Sequence, residues 1–306
     1  MEYRSRKMLE LIERKFRGKR YIPSRYVMRF PSSAEREYTR LMNDYLNTLG
    51  KVVEKHMPRI KKLLADKDSP TSSIEQATNM VIEDITKVNE KVLPKMNLTK
   101  RVEGIGIMTK STAIDEFRKS VKDALGVDIR KDYYMGDFYQ KEMEVWVGEN
   151  TDLIKTISHD MLNDMRADVS EGYIEGLRSE EIAERIQHDY NVTQAKAKML
   201  ARDQVAKLNG KITRAQQEDA GVTEYIWRTV GDERVRPGHD RLNGKKFKWD
   251  DPPEIYEWAS KKDGGGWKDT GRRCNPMEDY NCRCIALPVF DAETINLPVE
   301  SEDDDI

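Results

Sequence analysis

Apolar residues recur at intervals of three and four positions over most of the chain up to about residue 219, which is the pattern of amphipathic helices. The first series consists of Tyr38, Met42, Tyr45, Leu49, Val52, Ile60 and Leu63. A capping box at Ser32 and Glu35 precedes this series, and a second series covers residues 74–92. Because only a short polar turn separates the two series, they predict an antiparallel helical hairpin within residues 32–95.

Prolines and glycines divide the helical pattern. Pro58 predicts a kink or a break in the first helix, and Gly104 with Gly106 indicates a connector over residues 98–108. Further helices are predicted over residues 114–125, 152–172, 180–188 and 193–219. The middle of the chain is therefore expected to contain several helices of ordinary length.

The pattern changes to that of short strands near the C-terminus. A β-like run over residues 225–230 is followed by a Gly-Asp turn signal. Asn243-Gly244 predicts a hairpin turn, Phe247 lies on the next strand, and a third apolar run covers residues 285–290. We therefore predict an α+β protein that is mainly α, with a long N-terminal helical hairpin, a helical middle and a small β-containing C-terminal module.

Element boundaries and an uneven charge distribution predict five consecutive segments. Residues 1–26 carry nine Lys/Arg and three Asp/Glu, a net charge of +6, whereas residues 291–306 carry seven Asp/Glu and no Lys/Arg, a net charge of −7. The predicted segments are a basic N-terminal arm (1–31), the helical hairpin with its connector (32–110), a helical body (111–222), the β-rich module (223–290) and an acidic flexible tail (291–306).

Both charged ends are typical of solvated, flexible arms. A basic arm can also contact nucleic acid, because Lys and Arg neutralise phosphates. The possible DNA-binding residues are Arg14, Lys15, Arg17, Lys19 and Arg20. A second basic group over residues 234–248 is interleaved with Asp and Glu, which favours internal salt bridges.

Composition restricts the class of protein. Of the 306 residues, 38% are hydrophobic and 35% are charged, which fits long solvated helices better than one thick core. No run approaches the roughly 20 apolar residues that span a membrane, and no apolar segment typical of a secretory signal is evident. All three cysteines lie between Cys274 and Cys284, so we expect no disulfide framework of the secreted type and infer synthesis in a reducing cytoplasm.

The cysteines and one histidine are the main candidates for chemistry. His239, Cys274, Cys282 and Cys284 form a possible zinc ligand set, because zinc prefers four Cys or His ligands in tetrahedral geometry. The alternative is that the cysteines are small buried residues and that His239 hydrogen-bonds Asp232 or a backbone carbonyl. No other cofactor is predicted.

Catalytic arrangements have less support. The sequence contains no Gly-x-Ser-x-Gly motif and no Walker phosphate loop. Cys282 or Cys284 as a nucleophile would use His239 as its base, but no third member of a triad is evident. His239 and Asn243 suggest an HNH-type metallonuclease, although their spacing fits poorly. We predict no catalytic residues and retain a metal-dependent nuclease or transferase acting on nucleic acid as the alternative.

A set of residues in the C-terminal module occurs in a characteristic order. In chain order these are Trp227, Arg228, Thr229, Asp232, Arg234, Val235, Arg236, Pro237, His239, Asn243, Gly244 and Phe247, then residues 281–284 and Pro288. This order resembles the Mu F-like minor head proteins of tailed phages, the phage head morphogenesis family, over roughly residues 145–290. The chain departs from the family pattern at Asp203-Gln204, where Thr-Glu is expected, which gives this acidic position less weight. It departs again at Cys274, where Pro and Gly are more frequent.

The resemblance implies a minor head protein with a role in head morphogenesis and in DNA packaging or ejection. It implies a location in the virion, in the head interior near the portal vertex. The implied partners are the portal protein, packaged DNA, and scaffold or capsid proteins, with no membrane association.

We interpret part of this set as a structural motif. Its members are Asp232, Arg234, Arg236, His239, Gly244, Cys282 and Cys284. The segment between the two halves of the motif, residues 250–281, is rich in Gly, Pro and charge, so it has little core of its own. Because closing such a loop costs entropy, we predict that the two halves lock the first β-hairpin against the final strand.

Overall fold

The computed structural model describes residues 6–65, 71–260, 262 and 264–298. The helices in this part of the chain are α1 (Arg6–Phe16), α2 (Ser32–Ala65), α3 (Thr71–Val92), α4 (Leu98–Leu125), α5 (Lys131–Met135), α6 (Gln140–Ile174), α7 (Ser179–Asp219) and α8 (Pro237–Asp240). Short 3-10 turns cover Leu93–Met96 and Asp137–Tyr139. The predicted fold class, α+β with helices dominant and a C-terminal strand module, is confirmed.

The strands belong to two antiparallel sheets. They are β1 (Tyr21–Pro23), β2 (Glu224–Arg228), β3 (Lys246–Lys248), β4 (Glu254–Ala259), β5 (Gly266–Arg273) and β6 (Ile285–Asp291). Four strands form a sheet in the order β1-β6-β2-β3, and β4 pairs with β5 in a two-stranded sheet. Strand β6 is buried along its whole length, as a continuous apolar run in a central strand should be.

Two elements of sheet structure differ from expectation. Strand β1 lies in the predicted N-terminal arm and pairs with β6, with Ile22 opposite Phe290. The β4–β5 hairpin lies in residues 250–281, which were expected to form a loop without a core. In β4 only Ile255 is buried. Hydrophobic alternation in this segment is therefore too weak to reveal the strands from the sequence.

The helices are longer than the glycines and polar gaps suggested. Helix α4 begins at Leu98, so the predicted connector over residues 98–108 is wrong. Val102 and Ile105 are fully buried on this helix, and their burial outweighs the weak helix propensity of the neighbouring glycines. Helix α7 is one continuous helix where two were expected.

The predicted helical hairpin corresponds to α2 and α3. The Tyr45 hydroxyl donates a hydrogen bond of 2.8 Å to the Asn89 side-chain oxygen, which joins the two helices. Helix α2 continues through Pro58, so the expected break is wrong, whereas the alternative of a kink stays a prediction. Pro58 is exposed, so water can satisfy the carbonyl that loses its helical partner.

The chain divides into two compact units, each built from segments that are distant in sequence. One unit, here called the sheet unit, contains the N-terminal residues up to Ala34, Gly106–Met143 and the chain from Asp203 onward. The other, here called the helical unit, contains Glu35–Ile105 and Glu144–Arg202. The five consecutive segments proposed from the sequence remain a prediction. Every helix in the described ranges falls short of the combined length and apolar character that a membrane crossing requires.

Candidate functional site

The antiparallel pairing of β2 with β6 brings the two halves of the sequence motif together. Arg228 near the end of β2 lies opposite Ile285 at the start of β6. The first half of the motif, residues 232–240, follows β2, and Cys282 and Cys284 immediately precede β6. Residues more than 40 positions apart therefore meet at one edge of the sheet.

His239 occupies the centre of this site. The residue is 2% exposed, and its ring packs edge to face against Trp227 with the ring centroids 5.4 Å apart. Its Nδ1 atom lies 3.6 Å from the sulfur of Cys282 and 3.6 Å from the sulfur of Cys284. One ring nitrogen thus faces two buried sulfurs at once.

Asp279 binds the other side of the His239 ring. The Nε2 atom of His239 donates to Asp279 Oδ2 at 3.1 Å, and Arg236 Nη1 donates to the same oxygen at 3.0 Å. Arg272 Nη1 donates to Asp279 Oδ1 at 2.7 Å. Sequence reasoning missed Asp279 and Arg272, because the one available signal was a carboxylate three positions before Cys282 in a loop rich in charge.

Asp232 forms the second contact between the halves of the motif. The guanidinium of Arg283 makes a two-pronged ion pair with its carboxylate. Arg234 Nη2 also donates to Asp232, at 3.3 Å, on the exposed side. The interpretation in which His239 hydrogen-bonds Asp232 or a backbone carbonyl is wrong, because Nε2 bonds Asp279 and Nδ1 faces the two cysteine sulfurs.

Burial and hydrogen bonding shift the protonation of these groups in opposite directions. Burial lowers the pKa of His239, but hydrogen bonds with Asp279 and Cys282 outweigh it and raise this pKa to about 9. Burial raises the pKa of Asp279, but His239 and a neighbouring arginine lower it to about 2. A hydrogen bond with Cys284, reinforced by His239, lowers the pKa of Cys282. Burial raises the pKa of Cys274 to about 12.

Two glycines allow the backbone to fold around the site. Gly244 has a φ of 77° in the turn that precedes β3, and the side-chain oxygen of Asn243 accepts a hydrogen bond of 3.1 Å from the Thr229 amide. The predicted hairpin turn at Asn243-Gly244 is wrong, because residues 229–245, which include α8, separate β2 from β3. Gly238 lies in α8 against β4, where a Cβ atom would come within 1.9 Å of the Tyr256 carbonyl oxygen. Gly238 was not singled out from the sequence, because close backbone approach has no local signature.

Asp203 connects helix α7 to the loop that carries the cysteines. It is 1% exposed, and its Oδ1 atom accepts a hydrogen bond of 2.7 Å from the Asn281 amide. Lys207 forms an ion pair with its other oxygen at 2.8 Å. The departure from the family pattern at Asp203 suggested a minor role, yet its carboxylate holds the residue directly before Cys282.

Three of the four suggested zinc ligands converge. His239, Cys282 and Cys284 place one ligand atom each within 4.8 Å of one another. Among the described residues, Cys274 instead falls into a second such group with His239 and Asp279. All three cysteines are buried and unpaired by disulfides. The donor set of imidazole and thiols matches the ligand types that zinc prefers.

The structure adds a third residue to the catalytic alternative, but it also shows that Cys282 and His239 are buried away from a substrate. With Asp279, the series Cys282, His239 and Asp279 has the connectivity of a nucleophile, a base and an orienting carboxylate, a third member that the sequence did not reveal. However, Cys282 is 3% exposed and His239 is 2% exposed, so a substrate cannot reach them in this conformation. Asn243, the other residue suggested for nuclease chemistry, bonds the Thr229 amide.

The five possible DNA-binding residues follow the buried face of α1. Ile12 and Phe16 are buried, whereas the five cationic residues that surround and follow them are exposed. Arg20 differs from the others because it forms ion pairs with Asp291 at 3.3 Å and with Glu293 at 2.7 Å. Its charge is therefore already balanced within the protein.

Comparison with known proteins agrees with the sequence resemblance. Residues 163–287 match the family model described as Phage Mu protein F like protein, which confirms the resemblance over this part of the chain. The matched segment runs from α6 into β6 and includes the whole His239 site.

Two relatives extend this finding. The chain is 29% identical to an uncharacterised protein of Haemophilus influenzae over 211 residues, which cover 68% of this chain and 43% of that protein. It is 28% identical to minor head protein GP7 of Bacillus phage SPP1 over 138 residues, which cover 44% of this chain and 42% of GP7. The matches thus span less than half the length of either relative. No solved structure matches the chain.

Proposed function

We propose that this chain acts as a minor head protein of a tailed phage, with a role in head morphogenesis. The observation that carries this proposal is the Mu F-like match over residues 163–287, together with the similarity to a protein named minor head protein. We further propose that the protein lies in the head interior near the portal vertex, binds the portal protein, and takes part in DNA packaging or ejection.

The chemistry of the site supports a structural role over an enzymatic one. A catalytic metal centre keeps a coordination position open to water or substrate, and a nucleophile must be reachable. Here His239, Cys282 and Cys284 are each at most 3% exposed and contact one another. The motif therefore fits a rigid support for other surfaces better than a nuclease or transferase centre.

The helical hairpin is the surface that we assign to partner binding. Its helices α2 and α3 are long and rich in charge, and Met80 on α3 is 51% exposed. A large apolar side chain on a solvated helix face is suited to burial in a protein interface. The occupant we propose is the portal protein encoded by the same phage genome.

The test is incorporation of variants into phage heads. A phage that lacks its own copy is complemented with Met80→Asp, and purified heads are analysed for the protein by immunoblotting. We expect incorporation to fall at least about tenfold, because a charge at the centre of an interface opposes its burial. Met199→Asp is the matched control, since Met199 is 47% exposed on α7, outside the hairpin. Normal incorporation of both variants would remove the hairpin from the proposal, and heads without any wild-type protein would overturn the proposed function itself.

The second component of the proposed function is direct DNA contact, which the exposed cationic residues of the N-terminal arm favour. Arg14, Lys15, Arg17 and Lys19 are exposed on α1 and the turn after it. We expect double-stranded DNA to bind without sequence preference and with an affinity that falls steeply as salt increases. Replacing these four residues by Ala should abolish binding in a fluorescence anisotropy titration.

Arg20→Ala is the internal control for this experiment, because Arg20 is engaged by Asp291 and Glu293. It should change the affinity much less than any one of the four other substitutions. Absence of binding by the wild-type protein at low salt would contradict the DNA contact and leave the portal contact as the proposed activity.

A further inference from the structure

We infer that the C-terminal module binds one structural zinc ion through His239 Nδ1 and the sulfurs of Cys282 and Cys284, with Cys274 as the fourth ligand. This inference does not depend on the proposed role in the phage head. It depends on the spacing of the donor atoms, on the group that orients the imidazole, and on the hydrogen bonds that reach one of the sulfurs.

The spacing of the donor atoms fits tetrahedral zinc. With bonds of about 2.0–2.1 Å to nitrogen and about 2.3 Å to sulfur, tetrahedral geometry separates a nitrogen and a sulfur ligand by about 3.6 Å. His239 Nδ1 lies 3.6 Å from the sulfur of Cys282 and 3.6 Å from that of Cys284. Both nitrogen–sulfur distances therefore match the separation of two ligands around a tetrahedral zinc ion.

The His239 ring is oriented as a metal ligand should be. A histidine that binds a metal usually donates its other ring N–H to a carboxylate, which fixes the tautomer and the direction of the ring. Here Nε2 donates to Asp279 at 3.1 Å, and Arg236 and Arg272 hold that carboxylate. Zinc binding displaces the proton from Nδ1; with the remaining proton on Nε2, the lone pair of Nδ1 then points to the side where the two sulfurs lie.

The sulfur of Cys282 has the backbone environment of a thiolate ligand. The amides of Met277 and Cys284 both donate to it, each at 3.4 Å. Two N–H donors favour a negatively charged sulfur, and hydrogen bonds of this kind support metal-bound thiolates. Arg283, between the two cysteines, pairs with Asp232 and so fixes the backbone from which both thiols extend.

Cys274 is the available fourth ligand. Structural zinc sites are almost always four-coordinate and closed to water. Cys274 is 8% exposed and belongs to the same buried apolar cluster as Cys282 and Cys284. Its sulfur lies within 4.8 Å of a His239 ring nitrogen and of an Asp279 oxygen, in a group separate from the one that His239 forms with the other two sulfurs, so its ligation requires Cys274 to move toward them when zinc binds. It enters the site at the end of β5, so its ligation would attach the β4–β5 hairpin to the motif.

The metal content of the native protein is the first test. The full chain is purified without a metal-binding tag and analysed by inductively coupled plasma mass spectrometry. We expect about one zinc per chain. After zinc removal, cobalt(II) should restore the fold and give strong visible bands of tetrahedral cobalt with a thiolate charge-transfer band. A protein that holds no zinc and shows no such cobalt bands would overturn the inference.

Variants then assign the ligands. Cys282→Ser, Cys284→Ser and His239→Ala should each lower the zinc content to near zero, whereas Asp232→Asn, which breaks the neighbouring ion pair without removing a ligand, should retain zinc. Where a ligand variant does not fold, cobalt titration of the wild-type protein still decides the question. Cys274→Ser should weaken the thiolate-to-cobalt band. An unchanged cobalt spectrum would overturn Cys274 as the fourth ligand, and full zinc content in both Cys282→Ser and Cys284→Ser would overturn the site.

Discussion

The contacts inside the helical unit differ in kind from the contacts inside the C-terminal module. In the helical unit, Leu162, Met165 and Val169 on α6 pack against Ile182 and Ile186 on α7. These are aliphatic contacts between residues at helical spacing. Such contacts have no directional requirement, and each side chain packs against several neighbours.

The C-terminal module depends on contacts with a defined partner and direction. His239 contacts Asp279 on one side and Cys282 on the other. Asp232 pairs with Arg283 across the chain. An apolar core tolerates replacement by side chains of similar volume, whereas a buried polar network loses its partner as soon as one group changes. The same size of substitution should therefore have very different effects in the two regions.

The largest difference is expected for a matched pair of nearly isosteric changes. Asp279→Asn leaves Arg236, Arg272 and His239 without their carboxylate, and we expect the free energy of unfolding of the module to fall by about 3 kcal/mol. Met165→Leu in the helical unit should cost less than about 1.5 kcal/mol. Urea denaturation followed by tryptophan fluorescence and by circular dichroism measures both. Equal losses in the free energy of unfolding for the two variants would contradict the proposed difference between the contacts inside the two regions.

A smaller effect is expected from overpacking in the helical unit. A Cβ atom at Gly172 would come within 2.6 Å of Ile182 Cγ1, so Gly172→Ala should lower the free energy of unfolding by about 1–3 kcal/mol. The double variant with Ile182→Ala removes the clash. It should therefore be more stable than the sum of the two single effects predicts. Strict additivity in this double-mutant cycle would mean that α6 and α7 do not meet at this point.

The smallest predicted effect is a pH dependence confined to the helical unit. Burial, together with the negative charge of Asp189, raises the pKa of Asp168 to about 6. The folded state then holds a proton that the unfolded state releases near pH 4, so the stability of this unit should fall as the pH rises from about 4 to about 6. The loss should be about 1 kcal/mol, since solvent screens part of the interaction.

Asp168→Asn is the test of this pH dependence. The variant should be more stable than the wild type at pH 7 and equal to it at pH 4, as measured by thermal melts followed by circular dichroism. Asp152→Asn, at an exposed site on the same helix, is the matched control and should leave the pH profile unchanged. A wild-type profile that stays flat between pH 4 and pH 6 would contradict the raised pKa.

The helices of the chain could be predicted because their signal is local. Ser32 marks the beginning of α2, and the apolar spacing from Tyr38 to Leu49 corresponds to residues that are buried in the structure. The errors occurred where a local signal pointed the other way. Gly104 and Gly106 indicated a connector, yet α4 continues through them because Val102 and Ile105 are buried on one face. Burial of a whole helix face outweighs the propensity of single residues.

The candidate site could be predicted only in part, for a different reason. The sequence indicated His239, Cys282 and Cys284, because these residue types are uncommon and lie near turn and strand signals. Asp279 and Arg272 cannot be recognised in this way, because acidic and basic residues are common in the chain, with 55 and 53 respectively. Only the contacts made in the folded protein distinguish Asp279 from the other carboxylates of the chain.

Local sequence signals account for many of the elements: the long helices, the turn at Asn243-Gly244, the apolar final strand, and the set of thiols and imidazole available for ligation. Which of these residues become partners depends on the three-dimensional fold. Antiparallel pairing of β2 with β6 places Arg228 opposite Ile285 and so brings the loop after one strand to the loop before the other. Periodicity and turn chemistry act over a few residues, whereas partners separated by 40 or more positions are selected by strand register and by the burial that follows from it.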